Sequence, residues 1–312
     1  MKYLFIVNPT AGKGTRQKEI IDNINGYFSG KDSDYEIYIT AKKGDATNKA
    51  QSIAETGEDV SIFACGGEGT VFETLNGIVG FDNVNLGVIP CGSANDFLKF
   101  FPDSKPFSDI AEQVEGTAVP TDIIKANEYY CINGCSVGMD AVVARDMSIF
   151  KSWRGVSGSM AYKLAVLKTF LGKIGVTINL SVDSGTKTCE DCLFAVIANA
   201  PYYGGGYKSA PDANPFDNML DFTKVKTIGK LKVPKFLSLY EKGLHGSLDY
   251  CTLSRCETME FTSNTPVPVN LDGEILESKN MKFSLVKGGV KFILPKSVYK
   301  NVKKSLKVFD FT

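Results

Sequence analysis

The chain has 312 residues, more than most single domains contain, and this length favours two domains. Its 35 basic and 35 acidic residues balance, which argues against a nucleic-acid partner bound through a basic surface. The single histidine, His245, argues against a metal site built from several histidines, and we expect it in a surface loop.

Targeting and redox features point to the cytoplasm. The N-terminal stretch MKYLFIVNP lacks the long apolar core of a signal peptide, and no apolar run reaches the 18 residues typical of a membrane span. Several of the eight cysteines lie in apolar runs, where cysteine behaves as a small buried hydrophobe. We therefore expect a reducing compartment and no transmembrane segment.

The first part of the chain alternates short apolar strands with helix-like segments. This alternation indicates an α/β domain with a mostly parallel sheet, which we place at residues 1–122. Ligands of such sheets bind in the loops at the carboxyl ends of the strands. The predicted strands are Tyr3–Val7, Tyr35–Thr40, Val60–Cys65 and Asn85–Ile89.

From about Thr121 the pattern becomes β-rich. Short strand-like runs dominate residues 123–294, which predicts a second domain with a sandwich-like or barrel-like pair of sheets. Two helices interrupt it, at Met160–Leu171 and Val233–Lys242. The first of them carries an apolar stripe formed by Met160, Leu164, Leu167 and Leu171.

The C-terminal segment, residues 295–312, has a basic helical face opposite an apolar one. Such a helix can lie on anionic lipid, or it can pack its apolar face on the protein and leave its lysines in solvent. We expect the second arrangement, with the segment packed back on the first domain. The lysines are Lys296, Lys300, Lys303, Lys304 and Lys307, and the apolar residues are Val298, Val302 and Leu306.

The stretch Ser61–Asn76, SIFACGGEGTVFETLN, combines a strand, a glycine loop and a helix. Glycines let the backbone N–H groups approach an anion closely, so the pattern predicts a phosphate cradle, with an ordinary tight turn as the alternative. The two usual nucleotide motifs are absent. Lys13 is not followed by Ser or Thr as in a Walker A loop, and Phe72 occupies the last glycine position of a dinucleotide fingerprint.

Eight short motifs along the chain give more specific information than the glycine loop alone. Together they resemble the diacylglycerol kinase catalytic family, which also includes sphingosine and ceramide kinases and compact bacterial lipid kinases. The motifs occur in the family's order and cover nearly the full chain. They are NPTAGKG (8–14), TxxxGDA (40–46), GGEGTxxExxNG (66–77), IPCGSANDF (89–97), NGCSVGMDA (133–141), NAPYYGGGYKSAPDA (199–213), FDNMLDF (216–222) and LDGE (271–274).

The resemblance implies an ATP-dependent lipid kinase with its active site in the interdomain cleft. The first domain would bind nucleotide, and backbone N–H groups and hydroxyls would hold the phosphates. By position in the motifs, the ATP-binding residues would be Asn8, Thr10, Gly12, Lys13, Gly14, Thr40, Gly66, Gly67, Glu68, Gly69, Thr70, Glu73, Ser93, Asn95 and Asp96.

The resemblance also implies a Mg²⁺ site and a catalytic base. Asp217 would bind the metal, with the carbonyl groups of Asn214 and Met219, and Mg²⁺ prefers such oxygen ligands. Glu274 would take the proton from the lipid hydroxyl. Residues 272–274, Asp-Gly-Glu, sit in a predicted turn that could project a side chain into a cleft, although an ordinary hairpin turn explains the same letters.

Three positions depart from the family pattern. Glu68 replaces the usual Asp of GGDGT, Ser93 replaces a Thr, and Phe216 replaces the first Asp of the metal loop. Glu68 keeps a carboxylate and Ser93 keeps a hydroxyl, whereas Phe216 removes an acidic group. These changes leave open a non-catalytic nucleotide- or lipid-binding protein with a decayed site.

The expected acceptor is diacylglycerol presented by the inner face of a membrane, to which the protein would bind peripherally; a homodimer is possible. Another hydroxylated lipid, such as a sphingoid base or phosphatidylglycerol, is the closest alternative. NAD kinases share the GGDGT loop, but the NPTAGKG and GGGYKSAPDA segments favour a lipid kinase.

Overall fold

The computed structural model describes residues 2–305 except 15, 92–94, 152, 154, 155, 157 and 173. The chain divides into two compact units, and the second is β-rich, which confirms the predicted two-domain organisation in its coarse form. The first unit contains the chain to Ile123, Phe216–Asn218 and the chain from Val286. The second contains Ile124–Pro215 and Met219–Leu285.

Parallel strands form the centre of the first unit. The spatial order is β2-β1-β3-β4, and these neighbours pair in parallel. The strands are β1 (Lys2–Val7), β2 (Tyr35–Ile39), β3 (Val60–Gly66) and β4 (Val84–Pro90). The helices are α1 (Gln17–Phe28), α2 (Asp45–Ala54), α3 (Glu68–Ile78) and α4 (Ile110–Val114).

Apolar patterning explains these elements. All seven residues of β3 are buried, as expected for a strand covered on both faces. Helix α1 buries Ile20, Ile24 and Phe28, which are spaced four apart on one face. Phe5 of β1 stacks on the Phe63 ring at 4.9 Å and meets the Phe28 ring edge-on at 5.9 Å, so these aromatic side chains join helix and sheet.

The second unit holds most of the remaining elements. Strand β5 (Thr117–Ala126) leads into it, and the last strand leaves it. Its strands are β6 (Tyr129–Cys131), β7 (Gly134–Gly138), β8 (Val176–Val182), β9 (Thr188–Ala198), β10 (Tyr202–Tyr203), β11 (Tyr207–Lys208), β12 (Leu220–Lys226), β13 (Cys251–Cys256), β14 (Thr258–Leu271) and β15 (Glu274–Leu294). Its helices are α5 (Met139–Lys151), α6 (Gly158–Leu171) and α7 (Val233–Glu241).

Strand pairing in this unit is antiparallel. The ladder β13-β12-β9-β7-β14-β15 runs through antiparallel neighbours, and β8 pairs with both β9 and β14. Beyond residue 285, β15 belongs to the first unit, where Lys291 pairs in parallel with Asn85 of β4. Strands β1 to β4 therefore pair in parallel, but the sheet along the whole chain is mixed, so the predicted mostly parallel sheet is not confirmed.

His245 does not lie in a surface loop, so that prediction is wrong. Its side chain is fully buried, and its ring meets the Tyr240 ring at 4.8 Å and the Phe236 ring at 6.4 Å. Burial lowers the pKa of His245, because desolvation disfavours the charged imidazolium. The residue is part of the aromatic core around α7.

The C-terminal helix α8 (Lys296–Ser305) uses its apolar face for packing. Val298 and Val302 are buried. Two polar contacts join α8 to the region of α4. Lys296 Nζ forms an ion pair with Oε2 of Glu115, which follows α4, at 2.8 Å, and the Ser297 N–H donates a hydrogen bond to Oε2 of Glu112, in α4, at 2.7 Å. Of the predicted lysines, Lys307 lies outside the described residues, as does Leu306 on the apolar face. The packed apolar face is not available to lipid.

Among the helices of the described residues, none is both long enough and apolar enough to cross a bilayer.

Candidate active site

The loop after β1 is held in shape by Asn8. Its Oδ1 atom accepts hydrogen bonds from the Thr10 N–H at 3.0 Å and the Thr10 hydroxyl at 2.8 Å. Its Nδ2 atom donates to Thr70 Oγ1 at 3.2 Å. Asn8 therefore joins the first predicted phosphate loop to the helix that follows the second one.

The loop after β3 opens directly into α3. Gly67 precedes the first helical residue, Glu68, and as a glycine it has no side chain with which to cap this helix start. The first-turn N–H groups of a helix favour a negative charge, and Glu68 already places one there. Glu68 Oε1 accepts the backbone N–H of Asp96 at 3.1 Å, so the longer carboxylate spans to the loop after β4.

The loop after β4 is fixed from the other side by Asn95 and Asp96. Asn95 Nδ2 donates to the Gly66 carbonyl at 3.4 Å. Asp96 is buried and forms an ion pair with Lys99 Nζ at 2.6 Å. The loops after β1, β3 and β4 thus meet at the carboxyl ends of adjacent parallel strands, which is where the sequence predicted a phosphate site.

Thr40 and Glu73 organise the remaining loop, which follows β2. The N–H of Thr40 donates to the Val7 carbonyl at 3.0 Å. Glu73 accepts the N–H of Gly44 at 2.9 Å and the N–H of Ala46 at 3.3 Å, at the start of α2. Both Glu73 carboxylate oxygens thereby hold protein backbone, and we assign this side chain a positioning role for the loop.

Three of the predicted ATP-binding residues are described only in part or not at all. Ser93 lies outside the described residues. Lys13 and Gly14 belong to a short 3₁₀ turn, Ala11–Gly14, and the structure describes their backbone only. Gly69 lies in the first turn of α3, between Glu68 and Thr70.

Two glycines in these loops make a matched pair for a test. Gly12 has φ +60°, and a Cβ there would overlap the Cys91 carbonyl oxygen, whereas a Cβ on Gly67 would enter open space. We expect Gly12→Ala to lower the free energy of unfolding by about 1–3 kcal/mol, and Gly67→Ala by less than about 1 kcal/mol. Because a methyl on Gly67 blocks close approach to the α3 N–H groups, this variant should raise the KM for ATP.

Thermal unfolding and ATP kinetics of both variants check this prediction. A Gly12→Ala protein as stable as the wild type would contradict the left-handed geometry. An unchanged KM for ATP in Gly67→Ala would remove the α3 start from the expected nucleotide site.

The predicted metal loop is a tight turn anchored by a residue that the sequence did not reveal. Asn218 has φ +60°, a conformation that Asn tolerates, and Phe216 is buried against the Phe100 and Phe101 rings. Asp122 is buried and accepts the N–H of Asn218 at 2.7 Å through one oxygen.

The other oxygen of Asp122 accepts the N–H of Gly288 at 2.8 Å. Burial raises the pKa of Asp122, the two N–H donors oppose the rise, and the negative charge of nearby Asp217 adds to it. Asp122 thus holds the backbone of the turn in place beside Asp217.

Oxygen ligands at this turn suit a hard cation. Asp217 supplies one carboxylate, and the carbonyl groups of Asn214 and Met219 belong to the same short segment. No cluster of three or more His, Cys, Asp or Glu side chains able to hold a metal occurs in the part of the chain that the structure describes. A cation at this turn would therefore need main-chain oxygens as ligands.

Glu274 begins β15, directly after a two-residue hairpin turn. Asp272 and Gly273 both have positive φ, of 49° and 95°, which is the geometry of a type I′ turn. The predicted turn is present. Its geometry is that of an ordinary hairpin, so the turn alone does not distinguish a catalytic role of Glu274 from a purely structural one. Glu274 is half-buried and pairs with Leu271 across the hairpin.

The carboxylate of Asp272 holds this turn through hydrogen bonds to three backbone N–H groups. Its carboxylate accepts the N–H groups of Ile132 at 2.6 Å, Asn133 at 3.1 Å and Gly134 at 2.8 Å. Burial raises its pKa to about 6, against the opposing effect of these three donors. The sequence showed only Asp-Gly in a turn, so the anchoring role of Asp272 became visible only when residues 132–134 were found beside it.

The family follows from two matches that together span nearly the whole chain. Residues 2–126 match the diacylglycerol kinase catalytic domain, and residues 133–294 match the YegS C-terminal NAD kinase beta sandwich-like domain. The chain belongs to the diacylglycerol kinase catalytic-domain family. The resemblance inferred from the motifs is confirmed.

Similar proteins of this family come from bacteria. "Putative lipid kinase YtlR" of Bacillus subtilis is 28% identical over 88% of this chain and 93% of its own. A B. subtilis protein named diacylglycerol kinase is 28% identical over 86% of this chain and 88% of its own.

A solved structure from Bacillus anthracis shares the fold. It is described as "a putative diacylglycerol kinase", is 24% identical, and matches with a TM-score of 0.73 over 95% of this chain and 98% of its own.

Proposed function

We propose that this member of the diacylglycerol kinase catalytic-domain family is an ATP- and Mg²⁺-dependent lipid kinase. It transfers the γ-phosphate to a lipid hydroxyl, with diacylglycerol as the first acceptor and phosphatidic acid as the product. The observation that carries the proposal is the meeting of the loops after β1, β3 and β4, joined through Asn8, Thr70, Gly66 and Asn95. Such loops offer backbone N–H groups to phosphate oxygens.

Positioning and charge neutralisation dominate phosphoryl transfer, so the protein needs little covalent chemistry. In the proposed site, backbone N–H groups of the 3₁₀ turn at Ala11–Gly14 and of the α3 start bind the phosphates. The hydroxyl of Thr10 donates to Asn8 and so shapes the first loop, and Lys13 adds positive charge. Glu68 and Glu73 hold the loops in register through backbone N–H groups rather than binding phosphate.

Mg²⁺ fits the turn at residues 214–219 because its donors are hard oxygens. We propose Asp217 and the carbonyl groups of Asn214 and Met219 as ligands. When bound, the ion supplies positive charge that the site otherwise draws from lysine and backbone dipoles. Phe216 packs against the Phe100 and Phe101 rings, and the chain retains the carboxylate of Asp217 as the proposed acidic ligand.

Glu274 is the proposed general base. Its carboxylate takes the proton of the lipid hydroxyl while the hydroxyl oxygen bonds to the γ-phosphorus and ADP leaves. Asp272 is a positioning residue in this scheme. It holds the turn from which Glu274 starts by accepting three backbone N–H groups, and it does not touch the reacting atoms.

The acceptor is proposed from the relatives' names, which include a diacylglycerol kinase and lipid kinases. Sphingoid bases and phosphatidylglycerol present the same reacting group, a lipid hydroxyl, and remain alternative acceptors. A non-catalytic binding protein is the second candidate function, favoured by the loss of an acidic group at Phe216.

A lipid panel tests the acceptor. Purified protein is incubated with γ-labelled ATP, Mg²⁺ and mixed micelles containing dioleoylglycerol, sphingosine, ceramide or dioleoylphosphatidylglycerol. We expect label in the lipid extract with dioleoylglycerol above the others. ATP binding without a labelled product from any acceptor would favour the non-catalytic candidate.

A further inference from the structure

Residues 132–134, at the junction of β6 and β7, are held from two sides. Their three N–H groups donate to the carboxylate of Asp272, whose turn precedes Glu274. Their three carbonyl groups accept hydrogen bonds from residues of the same unit. We define residues 132–134 as the bridging loop. The donors to its carbonyl groups include a side chain to which the proposed function assigns no role.

Asn199 is the partner of two of these carbonyl groups. Its Nδ2 atom donates to the Ile132 carbonyl at 2.8 Å, and its N–H donates to the Asn133 carbonyl at 2.8 Å. The following N–H, of Ala200, donates to the Asn133 carbonyl at 3.3 Å. Asn199 comes directly after β9, and its side chain is fully buried. It therefore joins the end of β9 to the bridging loop.

The third carbonyl group, of Gly134, returns to the hairpin turn. It accepts the N–H of Asp272 at 3.1 Å. All three N–H groups and all three carbonyl groups of the bridging loop thus have partners, either in Asp272 or in residues 199–200. A buried backbone group that loses its partner is costly, so the loop cannot shift without a penalty on one side or the other.

Side chains add two further contacts between the same segments. Asn133 Nδ2 donates to the Tyr202 carbonyl at 3.0 Å. The hydroxyl groups of Ser136 and Tyr203 form a hydrogen bond of 2.7 Å. Residues 199–203 and residues 132–136 are therefore bonded along their length. They belong to the motifs NGCSVGMDA and NAPYYGGGYKSAPDA, which supplied none of the predicted site residues.

We propose that Asn199 is a positioning residue for the catalytic base, acting through the bridging loop and Asp272 on Glu274. The proposal rests on the proposed function, in which Glu274 takes the proton of the lipid hydroxyl. A base works only within hydrogen-bonding distance of that hydroxyl, and a small misplacement is costly. Asp272 can fix the turn only if its three donors are themselves fixed, and Asn199 holds those donors through their carbonyl groups.

Replacing Asn199 by Leu tests this role, because leucine has a similar size and no donor. We expect turnover to fall about 10- to 100-fold while the KM for ATP stays constant. Thr223→Val is the matched control. The buried Thr223 hydroxyl on β12 donates to the Ser209 carbonyl at 2.8 Å, so this variant also loses a buried bond to backbone, but none to the bridging loop. Equal falls in turnover in both variants would overturn the proposal.

The double variant with Glu274→Gln shows whether Asn199 acts through the base. Residues that act as one unit have non-additive effects on rate. Asn199→Leu should therefore slow the wild type and cause no further loss once Glu274 is glutamine. A further fall of about tenfold in the double variant would show that Asn199 serves another step, which would contradict the assignment.

Hydrogen exchange separates this proposal from the proposed function, because it needs no kinase activity. Peptides covering residues 131–136 and 270–275 should both exchange faster in Asn199→Leu and should stay protected in Thr223→Val. Faster exchange in a protein that phosphorylates no lipid would retain the bridging loop's link to the turn and remove the base that it serves. Unchanged exchange in an active kinase would overturn the proposal and leave the proposed function standing.

Asn133→Ala is the milder variant for the case in which Asn199→Leu does not fold. It loses the side-chain bond to the Tyr202 carbonyl and keeps the backbone bonds of the bridging loop. We expect the same pattern with smaller effects, namely faster exchange of both peptides and a lower turnover at constant KM for ATP. Wild-type exchange and turnover in this variant would contradict a bridging loop that is held from the side of residues 199–203.

Discussion

Replacing Glu274 by Gln should lower the turnover of lipid phosphorylation about 10²- to 10⁴-fold, the range for loss of a general base. Glutamine keeps the size of the side chain and cannot accept the proton. The type I′ turn before it depends on Asp272 and Gly273, so the backbone should stay in place. The affinity for ATP should not change, because Glu274 is assigned to the acceptor hydroxyl alone.

Glu277→Gln provides the control on the same strand. Glu277 is exposed on β15 and pairs with Arg145 Nη1 at 3.0 Å, and an exposed ion pair of this kind contributes at most about 1 kcal/mol. Steady-state kinetics with dioleoylglycerol in mixed micelles compare the two variants. Turnover of Glu274→Gln within a few-fold of the wild type would take the base role from Glu274.

Replacing Asp272 by Asn should reduce both stability and turnover. Asparagine tolerates the positive φ of this position, so the substitution isolates the loss of acceptor capacity. One amide oxygen cannot replace two carboxylate oxygens facing three N–H donors, and the amide nitrogen would face a donor itself. We expect a loss of about 1–3 kcal/mol in the free energy of unfolding.

Turnover of Asp272→Asn should fall about 10- to 100-fold because Glu274 loses its fixed position. KM for ATP should stay constant, which separates a displaced base from general damage to the nucleotide loops. Denaturant unfolding and kinetics are measured beside Asp249→Asn, an exposed aspartate in the same unit. Wild-type stability and turnover in Asp272→Asn would show that the three hydrogen bonds do not hold the turn.

Sequence patterning found the elements whose signal is local. Strand β1 differs from its predicted range only by the added Lys2, and β3 differs from the strand predicted before the glycine loop only by the added Gly66. Helix α6 was predicted from its apolar periodicity, but the burial of that stripe was not, since Met160 and Leu167 lie largely in solvent. Periodicity identifies a helix, whereas what covers each face depends on the rest of the fold.

Two elements of the second unit run through residues whose local sequence favours a different structure. Strand β15 continues through Gly288 and Gly289 to Leu294, although two adjacent glycines usually indicate a turn. Helix α5 was not predicted, because Val142 and Val143 favour a strand and the segment follows β7 directly.

In the candidate site too, residues in local motifs were predicted, whereas residues that act through distant parts of the chain were not. Loop residues such as Asn8 and Gly66 were identified from motif order. Asp122 and Asp272 were not, since Asp122 binds the N–H of Gly288, 166 residues away, and Asp272 binds the N–H of Ile132, 140 residues away. Only the folded chain brings such groups together.

The central claim is that the protein transfers the γ-phosphate of ATP to a lipid hydroxyl. The most direct test compares ATP labelled at the γ-phosphate with ATP labelled at the α-phosphate. Protein, Mg²⁺ and dioleoylglycerol micelles are incubated with either γ-labelled or α-labelled ATP, and the chloroform extract is counted. The proposed lipid kinase predicts label in phosphatidic acid from γ-labelled ATP alone, with the signal largely lost in Glu274→Gln. No lipid label from γ-labelled ATP, or equal label from both forms, would contradict it.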